Sequence, residues 1–96
     1  MSFTLNIETD FSPQEVTEAI RSALEHEKHV ARYKVKSYSS ICRDFEAKFG
    51  FSSAELRTKL ETANINKESS FFDWYAAKKG LDHWSKRLEI LSGISF

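Results

Sequence analysis

From Gln14 to Phe49 the chain contains neither glycine nor proline, and this uninterrupted stretch limits the fold more than any other feature. Glycine and proline are the residues that end helices and shape tight turns, so a run without them favours one continuous helix. Its apolar positions Val16, Ile20, Leu24, Ala31, Val35, Tyr38, Cys42, Phe45 and Phe49 are spaced 4, 4, 7, 4, 3, 4, 3 and 4. Leu24, Ala31, Tyr38 and Phe45 recur every seven residues, as do Val35, Cys42 and Phe49, the spacing of a coiled-coil seam. Ser12-Pro13-Gln14-Glu15 supplies an N-cap serine, a first-turn proline and the glutamate of a capping box. Gly50 offers the left-handed C-cap. The spacing predicts a helix over 13–49, roughly 55 Å long at about 1.5 Å per residue. The polar stretch 25–29 breaks the stripe and marks a place for a bend or a change of packing partner.

Two further helices follow. Phe51-Ser52-Ser53-Ala54-Glu55 is a second capping box, with Phe51 placed as the hydrophobic staple against Leu56. It starts a short helix over 53–62 whose thin apolar content, Leu56 and Leu60, predicts contact along one narrow edge. Residues 64–68 read as a loop, with Ser69 or Ser70 as the next cap and Asp73 in the first turn. The last helix, over 70–92, carries Trp74, Ala77, Leu81, Trp84, Leu88 and Leu91 at spacings 3, 4, 3, 4 and 3. Gly80 within it costs about 1 kcal/mol relative to alanine, so a close approach by another backbone is expected there. At the N-terminus, Phe3, Leu5 and Ile7 alternate with Thr4, Asn6 and Glu8, a period-two pattern that predicts a β-strand over 3–8.

Ninety-six residues make one domain, 1–96. The expected architecture is mainly α: a long antiparallel helical hairpin, a short connecting helix and one N-terminal strand, completed by dimerisation. Two arguments favour a homodimer. The seams hold more large apolar side chains than one two-helix contact covers. A lone strand also cannot satisfy its own backbone groups, so a second copy or the sheet edge of another protein must pair with it. The alternative is that Phe3, Leu5 and Ile7 lie extended across the bundle as core plugs.

Composition narrows the function. Fourteen Lys plus Arg balance 14 Asp plus Glu, giving zero net charge, whereas broad nucleic-acid coating calls for a basic surplus. Eight Phe, three Tyr and two Trp argue for a packed fold over a disordered chain. The lone Cys42 excludes an internal disulfide and fits a reducing compartment. No long apolar run and no signal-peptide pattern is present, so the expected location is the cytoplasm, without a membrane partner. His26 and His29 share a helix face, but the spacings of histidine-carboxylate metal motifs are missing, so they read as a solvated face and no metal or cofactor is expected. Cys42 falls on the apolar seam, where a thiol is structural. No catalytic motif is found, and the expected class is non-enzymatic.

Positions 44–56, Asp44-Phe45-Glu46-Ala47-Lys48-Phe49-Gly50-Phe51-Ser52-Ser53-Ala54-Glu55-Leu56, followed by Ser69-Ser70-Phe71-Phe72-Asp73-Trp74, resemble a group of small helical prokaryotic proteins encoded beside toxin genes and classed as antitoxin-like. The resemblance implies a protein-protein interaction module that neutralises or scaffolds a partner, such as a toxin, by forming a complex. The partner-binding surface is expected on Phe3, Leu5 and Ile7 with the aromatic entrance to the last helix, Phe71, Phe72 and Tyr75. Phe71 and Tyr75 sit off the seam register and need a second cover, which either a partner or the short helix can supply. The alternative function is a DNA-binding transcriptional regulator, since a strand followed by helices resembles the ribbon-helix-helix proteins. It would use the strand or the basic run 28–36, with Arg32, Lys34 and Lys36 on phosphates.

Overall fold

The structure, a computed structural model, describes residues 6–61 and 69–95. Three helices form in chain order: α1 (Pro13–Phe49), α2 (Ser53–Glu61) and α3 (Ser69–Ser92). The capping chemistry of α1 forms as its sequence dictates. Ser12 sits in extended backbone and its side chain accepts the Glu15 N–H at 3.1 Å. At the other end Gly50 adopts φ 79°, and its N–H donates to the Glu46 carbonyl at 2.9 Å. That conformation suits glycine because a Cβ would crowd the following carbonyl. α1 continues without a break through the polar stretch 25–29.

α1 and α3 run antiparallel, as three contacts in opposite chain order show: Glu27 with Arg87, Tyr38 over Gly80, and Phe45 and Phe49 with Trp74. The result is a rod with extents of 61 × 26 × 19 Å and a radius of gyration of 19.3 Å, against about 12.5 Å for a compact chain of this length. Both predicted seams face inward. Ala31, Cys42, Trp74 and Ala77 are buried, and Tyr38, Phe45, Phe49 and Leu81 pack around the last three.

The core is concentrated at one end, where α2 folds back over the hairpin. Trp74 is fully buried, with ring centroids of Phe51 at 4.8 Å, Phe45 at 5.7 Å, Phe49 at 5.8 Å and Phe71 at 6.5 Å. Leu56, also fully buried, is the contribution of α2 to the same cluster. A buried indole N–H needs an acceptor. Trp74 Nε1 donates to Ser53 Oγ at 2.6 Å, and the Ser53 backbone N–H donates to Glu46 Oε2 at 2.7 Å. One short chain of hydrogen bonds thus ties α1, α2 and α3 together.

Several expectations are corrected. Among the described residues no strand forms: residues 6–8 are irregular and exposed, while 3–5 lie outside the described residues. A period-two pattern alone does not hold a strand that has no neighbour to pair with. Gly80 is approached by a ring, not a backbone, for a Cβ there would lie 2.8 Å from two carbons of Tyr38. The last helix begins at Ser69, so neither Ser69 nor Ser70 precedes it as a cap and Asp73 falls in its second turn. Phe51 packs against the cluster that contains Leu56, and its ring also lies against Trp74.

Candidate functional site

Ser53 and Leu56 turn inward, leaving a groove between the outer face of α2 and α3. One part, about 490 Å³, is lined by Ser53, Ala54, Arg57, Tyr75, Lys78, Lys79 and Asp82. A second part, about 290 Å³, shares Arg57 and Tyr75 with the first and adds Leu60, Glu61 and Phe72. The apolar lining is Tyr75, Phe72, Leu60 and Ala54, and the charged lining, called the rim below, is Arg57, Glu61, Lys78, Lys79 and Asp82.

The rim is ordered by pairing along each helix. Arg57 Nε donates to Glu61 at 2.9 Å, a hydrogen bond that holds the guanidinium more firmly protonated than usual. Lys78 donates to Asp82 at 2.6 Å. Lys79 stands over the Tyr75 ring at 5.5 Å, a cation–π placement that orients both side chains.

The predicted partner-binding residues separate. Phe72, 53% exposed, and the half-buried Tyr75 line the groove. Phe71 does not: it is 6% exposed and lies 4.6 Å from Phe49. Its cover is the core itself, because α1 ends beside it and closes the space a partner was expected to fill. Ile7 is 53% exposed, at the opposite end of the rod, and Phe3 and Leu5 lie outside the described residues. Of the basic run, Arg32 and Lys36 are exposed one turn apart, whereas Lys34 is half-buried and about 200° around the helix from Arg32. The three do not form one phosphate-facing row.

Cys42, Ser53 and Glu46 are engaged in the packed end of the rod. Burial pushes the Cys42 thiol up from its ordinary range, against a smaller opposing effect of the Ser53 hydrogen bond, which disfavours the thiolate that nucleophilic chemistry needs. Ser53 is buried and accepts from Trp74. Glu46 is held below the usual carboxylate range chiefly by the Ser53 N–H. His26 and His29 are exposed, and among the described residues no group of three metal-ligating side chains comes together. Among the described residues no helix is long and apolar enough to cross a membrane.

Arg57, Leu60, Lys78 and Lys79 were not legible as site residues. The available signal was Lys78-Lys79 placed one turn after Tyr75 on a helix whose seam register leaves Tyr75 outside. No known family model matches the chain, and no match is found among curated proteins or solved structures.

Proposed function

We propose that this chain is a non-enzymatic protein-binding module that seats a segment of a partner in the α2–α3 groove, in the manner of the antitoxin-like proteins its second half resembles. One observation carries the reading: Phe72 is 53% exposed on a helix whose other large aromatics at that end are packed, and it continues the apolar floor of Tyr75 and Leu60. Aromatic anchors surrounded by charged rims are the composition that protein interfaces favour. Arg57, Lys78 and Lys79 outnumber Glu61 and Asp82 on the rim, so the groove suits a partner segment that is apolar and acidic.

Co-expression with the product of the adjacent gene, followed by purification of the complex, tests the reading. Binding is expected to fall at least about tenfold in Tyr75→Ala and in Phe72→Ser, because central aromatic anchors contribute most of the energy of an interface. Phe72→Ser should leave the thermal midpoint unchanged, since Phe72 is largely in solvent. Full binding by both variants would overturn the assignment of the groove.

A further inference from the structure

Two exposed surfaces of opposite character lie at opposite ends of the rod. Residues 6–12 carry Ile7, 53% exposed, and Phe11, 70% exposed, separated by Glu8 and Asp10 with no cation among them. This is an apolar, acidic segment, the chemistry that the α2–α3 groove suits. We infer that, in the absence of the partner protein, the groove is filled in solution by residues 6–12 of a second copy of this chain. The inference rests on the reading of the groove as a docking surface and names its occupant.

Reach decides between the same chain and another. The antiparallel contacts place Tyr75 level with about residue 44 of α1, roughly 45 Å along the helix from Pro13 at about 1.5 Å per residue. Ile7 precedes Pro13 by six residues and extends at most about 20 Å from it. A chain therefore cannot fill its own groove with this segment. Two rods lying antiparallel about a two-fold axis bring each N-terminal segment to the other's groove at once. The contact is self-complementary and closed, so it ends at a dimer without propagating into a fibre. The arrangement also unites the two halves of the surface expected from the sequence, Ile7 with Phe72 and Tyr75, which a single copy holds apart.

Charge complementarity supplies the orientation. The segment brings Glu8 and Asp10 to a rim where Arg57, Lys78 and Lys79 exceed Glu61 and Asp82 by one positive charge, while a parallel pairing would set like against like at both ends, which interfaces avoid. The apolar part is Phe11 and Ile7 on the floor made by Tyr75, Leu60 and Phe72.

A charge swap tests this with the full chain. Variant one carries Glu8→Lys with Asp10→Lys, and variant two carries Lys78→Glu with Lys79→Glu. Light scattering of the wild type at micromolar concentration is expected to give twice the chain mass of 11.1 kDa. Each variant alone should dissociate at least about tenfold more readily, and an equimolar mixture should regain the dimer, because both contacts are then matched. Phe11→Ser should weaken the dimer without changing the helical content or melting of the monomer. A wild type that stays monomeric, a dimer indifferent to both charge reversals, or a mixture that fails to recover would each overturn the inference. Failure of the groove reading looks different: Tyr75→Ala would then leave both the dimer and the binding of the adjacent gene's product intact. Loss of the latter alone, with a monomeric wild type, keeps the groove and discards its second-copy occupant.

Discussion

At the α2 end of the rod three helices surround Trp74, whereas at the far end, among the described residues, only α1 and α3 meet, and the two regions are built from the same seam pattern. In the first, Trp74 and Leu56 are fully buried and four phenylalanine rings surround the indole. In the second, Ala31 is buried but Leu24, Trp84, Leu88 and Leu91 remain half-exposed, and the cross-helix polar contact is Arg87 with Glu27. Two cylinders touch along a line, so each seam residue keeps an open flank. A third helix closes one flank and converts a seam into a core. Nine residues of α2 therefore decide where stability resides, since apolar burial contributes about 25 cal/mol per Å² removed from water.

The contrast breaks most readily at Trp74. Trp74→Ala is expected to destabilise the fold by about 3–5 kcal/mol, with the Ser53 hydroxyl also losing its donor, as measured by urea denaturation. A loss no larger than that of Leu88→Ala at the far end would show the two regions to be energetically alike. Midway along the rod, Gly80→Ala should cost about 1 kcal/mol: the gain in helix propensity is outweighed by displacing the Tyr38 ring. In a Tyr38→Ala background the same substitution should turn stabilising by up to about 1 kcal/mol, and a melting curve distinguishes the signs.

The hydrogen-bond link at the α2 end adds a pH dependence. Ser53 holds the folded-state Glu46 carboxyl below its ordinary value, so the folded state binds that proton less readily than the unfolded chain. The stabilisation is present above the ordinary glutamate range and is lost as pH falls through it to the folded value. Stability measured between about pH 6 and about pH 3 should fall less steeply in Glu46→Gln than in the wild type. The smallest effect belongs to the far end: Arg87→Ala should cost about 0.2–1 kcal/mol and less in high salt, because the pair with Glu27 is exposed. A larger, salt-insensitive loss would mean that this end is better ordered than its exposure implies.

Much of the fold was legible because its signals are local. The Ser12 cap, the Gly50 stop and the two inward seams each follow from residues within one or two turns of each other. The site was legible only in part. Phe72 and Tyr75 stand out from the seam register, but that register cannot say whether an off-seam aromatic meets solvent or another part of the chain. Phe71 and Phe72 are adjacent, and the first is core while the second is exposed. Their difference follows from where α1 ends and α2 crosses, which no window around position 71 contains. The same holds for Ser53 and Glu46, seven residues apart across the Gly50 turn, whose pairing depends on the path of that turn.

The sequence by itself determined that this chain makes long amphipathic helices, where the first starts and stops, and which faces turn inward, because capping and helical period act over a few residues. The tertiary structure alone decided that α2 covers one end, that Gly80 makes room for the Tyr38 ring, and that Lys78, Lys79 and Arg57 frame an apolar groove. Those outcomes depend on which surfaces meet across long separations in the chain, and packing of whole helices, not the preference of any one residue, sets them.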